Sequence, residues 1–162
     1  MVIVTPALTM LETARIPFNV SEYDRHLSGD GDLRDFGREA VEALGLSADE
    51  VFKTLVVVSE SDELIVAVLP VSCQLSMKLV AAATNVKRVS MCDALAAERS
   101  SGYVVGGISP LGQRRQLRTV IDESADLFDT IYVSGGRRGL DIGLAPADLA
   151  RVLDATIAPI TA

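Results

Sequence analysis

The stretch Val51-Phe52-Lys53-Thr54-Leu55-Val56-Val57-Val58-Ser59-Glu60-Ser61-Asp62-Glu63-Leu64-Ile65-Val66-Ala67-Val68-Leu69 decides how this chain folds. Two β-branched apolar runs, Leu55–Val58 and Leu64–Leu69, flank the acidic segment Glu60–Glu63, the pattern of two strands joined by a turn. A hairpin here interrupts the strand–helix alternation of a doubly wound parallel sheet. No strand-like run leads into a dinucleotide-type glycine fingerprint opening a helix either. The expected class is a mixed α/β domain of the α+β type.

Upstream, Ser47 to Glu50 has the spacing of a capping box. Before it, Leu33, Phe36, Ala40, Val41 and Leu44 recur at helical intervals, with Gly45 as the stop. Ser28–Asp32, polar with two glycines, reads as a loop, and Phe18 and Val20 alternate with polar residues like a strand. Pro6–Ala14 reads as a short helix with Thr5 as N-cap and proline in its first turn. Downstream, Ser76–Ala83 and Asp93–Arg99 read as helices, and Gly102–Gly112 as non-helical. Ile131–Val133 reads as a strand ending in Ser134-Gly135-Gly136, and Pro146–Leu153 as the last helix. There is no internal repeat.

At roughly 100–200 residues per domain, the 162 residues are expected to form one domain spanning 1–162. The chain is 49% hydrophobic but only 4% aromatic and has no Trp, so its core must come from Val, Leu, Ile and Ala, and disorder is excluded. The apolar runs fall far short of the roughly 20 residues of a membrane helix. With no secretory leader pattern at the N-terminus, a cytoplasmic location is the expectation. Cys73 and Cys92 are isolated and His26 is the single histidine, so no metal framework is expected. Both thiols are expected to be reduced and to pack as small apolar groups, and His26, in a polar stretch, to be solvated.

Fifteen basic and 22 acidic side chains give a net charge of −7, which argues against nucleic-acid binding through bulk charge. The distribution is uneven, however. Between Glu98 and Asp122 there is no carboxylate, while Arg99, Arg114, Arg115 and Arg118 all lie there. The same segment holds Gly106-Gly107-Ile108-Ser109-Pro110-Leu111-Gly112, which reads either as a tight structural turn or as a cradle of backbone N–H groups for an anion or carbonyl oxygen. A second cluster, Gly135-Gly136-Arg137-Arg138-Gly139, leads into Leu140 and Asp141, and two such loops suggest one shared cleft. Asp141 reads as a turn cap, as a partner of Arg137 or Arg138, or as a carboxylate of that cleft. Lys53, alone on an apolar strand, either snorkels along the sheet edge or directs its ammonium into a cleft.

Val51-Phe52-Lys53-Thr54-Leu55, the run Ser101–Gln113 and the run Ile131–Asp141, in this order, resemble the YbaK/EbsC family of Cys-tRNA(Pro) deacylases, relatives of the editing domain of bacterial prolyl-tRNA synthetases. The likeness extends from about Thr5 to Asp154. It implies a barrel-like mixed sheet flanked by helices and an activity that removes a wrongly attached amino acid from tRNA(Pro). It implies that Lys53 and Asp141 are the catalytic residues and that Gly106, Gly107, Ile108, Ser109 and Pro110 receive the aminoacylated 3′ end. Tyr23, Phe36, Thr54, Ser134, Gly135 and Gly136 would line or support the pocket, with Arg114, Arg115, Arg137 and Arg138 meeting tRNA. Cys73 and Cys92 match no functional position. Expected partners are the tRNA(Pro) 3′ end and prolyl-tRNA synthetase, with no cofactor, metal, membrane or DNA.

No Ser-His-Asp set and no reactive-cysteine motif is present, so the nucleophile is expected from outside the protein: water, or the thiol of the substrate itself. Two alternatives stand beside Cys-tRNA(Pro) hydrolysis. One is a relative preferring Ala or another small amino acid; the other is a non-catalytic module that binds aminoacyl-tRNA or the synthetase.

Overall fold

In the computed structural model, which describes residues 4–23 and 36–162 without the side chain of Phe36, the hairpin forms where the apolar runs place it. Strands β2 (Phe52–Ser59) and β3 (Leu64–Pro70) pair antiparallel from Phe52↔Pro70 to Val58↔Leu64 without a break. The Ser59 hydroxyl accepts the N–H groups of Ser61 and Glu63 and closes the turn. The expectations for His26, Leu33, the Ser28–Asp32 loop and the Phe36 side chain lie outside the described residues.

Around this hairpin the chain runs α1 (Pro6–Thr13), β1 (Asn19–Glu22) and α2 (Phe36–Leu44) before it, then α3 (Met77–Thr84), β4 (Val89–Met91), α4 (Ala94–Ser101) and β5 (Arg118–Asp122) after it. A 3-10 turn over Glu123–Leu127 leads to β6 (Ile131–Arg137), β7 (Leu140–Leu144), α5 (Pro146–Leu153) and β8 (Thr156–Ala158). Local chemistry sets the helix starts: the side chains of Thr5, Ser76 and Asp93 accept the amides of Leu8, Leu79 and Ala96. Gly45, at φ 66°, ends α2 as expected. Among the described residues no helix is long and apolar enough to cross a membrane.

The strands form a five-stranded sheet, β4-β2-β3-β5-β8, with parallel β3–β5 and β5–β8 pairs, and a three-stranded antiparallel sheet, β1-β7-β6. They meet at one parallel bridge, Val51↔Tyr132, where the Tyr132 amide donates to the Glu50 carbonyl at 3.0 Å. The mixed α/β class holds, with the expected barrel-like sheet resolved as two sheets joined at that bridge. Alternation along β3 feeds two cores. Val66 and Val68 join Phe52, Ile121, Val133, Leu140 and Ile142 between the sheets, while Ile65, Ala67 and Leu69 pack with Val57, Val80, Val120 and Ile160 on the other face.

Three sequence readings need correction. The segment from Gly135 to Gly139 is no open loop, because β6 continues to Arg137 and pairs with β7 across a bulge. Arg118 leaves the basic patch: it starts β5, donates to both carboxylate oxygens of Glu63 and bonds the Thr84 carbonyl. Cys73 and Cys92 are free thiols, but both are only half-buried.

Candidate functional site

Asp141 is the second residue of β7, with Ser21 of β1 directly opposite on one side and Ser134 of β6 on the other. Directly opposed residues share a face, so these three side chains form a polar row. Val20, Ile142 and Val133 form the next row on the reverse face, where Ile142 and Val133 are fully buried. The Tyr23 amide extends the ladder by donating to the Gly139 carbonyl at 2.9 Å, which makes Tyr23 a diagonal neighbour of Asp141 on its own face. Asp141 is only 6% exposed. Burial raises its pKa to about 7, against the opposing effect of a hydrogen bond from the Tyr23 hydroxyl. The phenol is raised in turn, first by burial and then by the charges of Asp141 and Glu39. Near neutral pH this carboxyl therefore holds and releases a proton with comparable ease, the condition for a general acid or base.

Lys53 belongs to the same surface. The Val51↔Tyr132 bridge is parallel, so two residues farther along each strand Lys53 comes level with Ser134 on the same face. The bridge is isolated, so no ladder pairs Lys53 with Ser134 directly. The ammonium donates to the Cys73 carbonyl at 2.7 Å, and burial lowers its pKa. One of its three protons is used in this way, leaving two for a ligand. Thr54 lies on the opposite face of β2, opposite Val68, with its hydroxyl buried and unpartnered among the described residues.

The two glycine clusters do meet. A Cβ on Gly107 would lie 2.8 Å from the Arg137 Cα, so only glycine lets the Gly106–Pro110 loop approach the turn of the β6–β7 hairpin this closely. The loop is held at its ends. The Val105 amide donates to Glu98 Oε2 at 2.8 Å, the Tyr103 hydroxyl to the Leu111 carbonyl at 2.7 Å, and the Gln113 side chain to the Ser109 carbonyl at 3.0 Å. Among the described residues no hydrogen bond uses the backbone N–H groups of Gly106, Ile108 or Ser109. These are donors of the kind that an oxyanion or phosphate oxygen takes. The Ser134 hydroxyl accepts the Gly136 amide at 3.2 Å and so shapes the bulge.

Arg114 and Arg115 are exposed beyond this loop, and their amides are anchored on the carbonyls of Ser101 and Ser100. Arg137 is also exposed but pairs with Glu22 at 3.2 Å, while Arg138 is half-buried. Sequence reasoning missed Ser21, Glu22 and Glu39, which reach the site only through the pairing of β1 with β7 and the packing of α2. Among the described residues no cluster of His, Cys, Asp and Glu could hold a metal ion.

Comparisons with known proteins bear on this arrangement. The aminoacyl-tRNA editing domain family model matches residues 30–152. Over 160 residues the chain is 34% identical to EbsC of Enterococcus faecalis, proposed to be a Cys-tRNA(Pro)/Cys-tRNA(Cys) deacylase, covering 97% of this chain and 93% of that one. A crystal structure of a proposed trans-editing enzyme for prolyl-tRNA synthetase superimposes with a TM-score of 0.81 at 18% identity over 99% of both chains. The hypothetical protein APE2540 gives 0.86 at 20% identity, over 98% of this chain and all of that one. At those identities the two structures are similar in fold.

Proposed function

This chain belongs to the family of aminoacyl-tRNA editing domains, a group that hydrolyses the ester between amino acid and tRNA, and from that premise we propose that its substrate is Cys-tRNA(Pro), cleaved in trans. The observation that carries the reading is the buried Asp141 opposite Ser134, on the face that Lys53 shares, beside a loop in which the amides of Gly106, Ile108 and Ser109 make no hydrogen bond among the described residues. The ester carbonyl would rest on the amides of Gly106, Ile108 and Ser109, which strengthen their hold as its oxygen gains charge. The Lys53 ammonium would hold a phosphate of the tRNA end or share that charge.

Asp141, ionised above its pKa of about 7, would take a proton from the nucleophile. With a cysteinyl ester the nucleophile is the substrate thiol. Its sulfur attacks its own carbonyl carbon, the ester C–O bond breaks, and the ribose oxygen leaves carrying a proton. The cyclic thioester that results is opened by water to free cysteine. Prolyl-tRNA synthetase would supply the tRNA selectivity that a small acidic domain lacks, and Arg114 and Arg115 the phosphate contacts.

The test is deacylation of tRNA(Pro) charged in turn with Cys, Ser, Ala and Pro, with and without the synthetase. A thiol with a pKa near 8.5 is partly thiolate at neutral pH, whereas a hydroxyl is not, so Cys should leave at least about tenfold faster than Ser. Equal Cys and Ser rates reject thiol attack in favour of water. A preference for Ala moves the assignment to a small-amino-acid relative, and inactivity on all four rejects the deacylase.

A further inference from the structure

The N-terminal half of α1, with its cap, touches both glycine segments of the site. Thr5 is 7% exposed, and its hydroxyl donates to the Gly135 carbonyl at 2.6 Å while accepting the Leu8 amide at 3.2 Å. One side chain thus caps the helix and pins the bulge. From the other segment, the Gly112 amide donates to Met10 Sδ at 3.1 Å. Tyr103, 5% exposed, completes the connection: its hydroxyl closes the loop on the Leu111 carbonyl, and the Ala7 amide approaches the same oxygen. Its ring lies where a Cβ on Gly136 would sit, 2.8 Å from Cε1, and Gly136 has φ 106°. Residues 130 positions apart in the chain are therefore locked together, and Thr5 lies outside the segment that the editing-domain family model matches.

We infer that Thr5 and Tyr103 are positioning residues for deacylation, a clasp that holds the Gly106–Pro110 loop and the Gly135–Gly136 bulge in register across the first turn of α1. Neither residue is hydrogen-bonded to Lys53, Ser134 or Asp141; each acts through the backbone of the bulge or the loop. The bulge sets where β6 leaves Ser134 opposite Asp141, and the loop carries the amides of Gly106, Ile108 and Ser109, which no hydrogen bond uses among the described residues. A loosened clasp lets these two groups drift independently, and a displacement of about 1 Å between reacting groups is worth up to about a hundredfold in rate.

The inference rests on the deacylase reading, so its test has two readouts. The first compares Thr5→Val, which keeps shape but removes the hydroxyl, with Thr5→Ser, which keeps the hydroxyl, and adds Tyr103→Phe. With Cys-tRNA(Pro), Thr5→Val and Tyr103→Phe should lower kcat about tenfold or more with KM within twofold, and Thr5→Ser should recover most of the loss. The second is amide hydrogen exchange, which needs no substrate. Thr5→Val should speed exchange at Gly136 and Gly107 about tenfold or more while leaving the β2–β3 hairpin unchanged. Should the wild type prove inactive on every charged tRNA, the deacylase reading falls and exchange alone decides the clasp. Unchanged local exchange overturns it, as does a lower melting temperature with kcat intact, or a Thr5→Ser variant no better than Thr5→Val.

Discussion

Among the described residues, the antiparallel hairpins β2–β3 and β6–β7 are built to opposite ends. In β2–β3 the register is unbroken from Phe52↔Pro70 to Val58↔Leu64, and β3 feeds fully buried side chains to a core on each face. In β6–β7 the register breaks after Ser134↔Asp141 and resumes at Arg137↔Leu140, so Gly135 and Gly136 have no opposite number. The regular hairpin presents one functional group, Lys53, at its end. The broken one presents a buried carboxyl, a serine and a backbone turn pressed against a second glycine loop. Regular pairing maximises burial and satisfied hydrogen bonds. A bulge gives up some of both to aim particular groups, which is why bulges gather at active sites. Breaking each hairpin in turn should therefore produce different losses.

The largest effect is expected at Asp141. Asp141→Asn keeps the shape and removes the titration, and deacylation should fall about a thousandfold, within the range for loss of a general base. The same substitution should stabilise the protein. A carboxyl whose pKa rises from 3.8 to about 7 on folding binds more protons folded than unfolded in that interval, so wild-type stability is lost as pH climbs from about 4 to about 7. The asparagine variant lacks this loss and should gain on the order of a few kcal/mol over the wild type at pH 8, and almost nothing at pH 4. Denaturant unfolding at the two pH values measures the difference. A variant no more stable at pH 8 than at pH 4, relative to wild type, would show that the carboxyl is not held in the protonated form by burial. In the wild type, kcat/KM should rise with pH through about 7, and the variant's residual rate should lack that inflection.

Lys53→Ala comes next. In the proposed role, holding phosphate or developing charge, loss of the ammonium should cost about a hundredfold in deacylation. Because the strand ladder runs through backbone that the substitution leaves alone, stability should fall by no more than about 2 kcal/mol, the worth of a charged hydrogen bond to the Cys73 carbonyl. A large activity loss with a small stability loss at Lys53, set beside loss of activity with gain of stability at Asp141, separates the two hairpins. Lys53→Ala with near-normal turnover would return the residue to a snorkelling role.

The two hairpins also differ in how far the sequence alone reveals them. β2–β3 was legible because its signals are local: two β-branched runs and an acidic turn within 19 residues. The helices were legible for the same reason, through Thr5 and Asp93 as caps and Pro6 and Pro146 as starts, whereas Ser76, read as the first residue of its helix, is its N-cap. β5 and β8 were not, because β5 lies on β3 across some 50 residues and β8 has only three residues of its own. The glycine run after Val133 resembled a loop because a bulged hairpin and a loop use the same residues. Asp141 was legible as a candidate but not as a buried carboxyl, since its environment is assembled from β1, β6 and Tyr23. Arg118 misled because charge in a sequence window says nothing of the partner, here Glu63, from another strand's turn.

The smallest effect distinguishes arginines that look alike in sequence. Arg137 on the broken hairpin is about half exposed and already paired with Glu22, whereas Arg114 and Arg115 beyond the loop are exposed and have no ion pair among the described residues. An exposed ion pair contributes about 0–1 kcal/mol, so Arg137→Gln should barely alter stability. Its effect on tRNA affinity should be small too, because the guanidinium charge seen by an incoming phosphate is offset by the neighbouring carboxylate. Arg114→Gln and Arg115→Gln remove charges that are not offset in this way. Each should weaken tRNA binding severalfold at low salt and make the dependence of log affinity on log salt shallower by about one unit, the counterion release of one phosphate contact. Glu22→Gln supplies the converse: freeing Arg137 should tighten binding slightly and steepen the slope. Titrations at several salt concentrations with these four variants rank the contacts. If Arg137→Gln weakened binding as much as Arg114→Gln, the tRNA would have to displace Glu22 and run along the β6–β7 hairpin itself, placing its backbone against the bulge rather than beyond the Gly106–Pro110 loop.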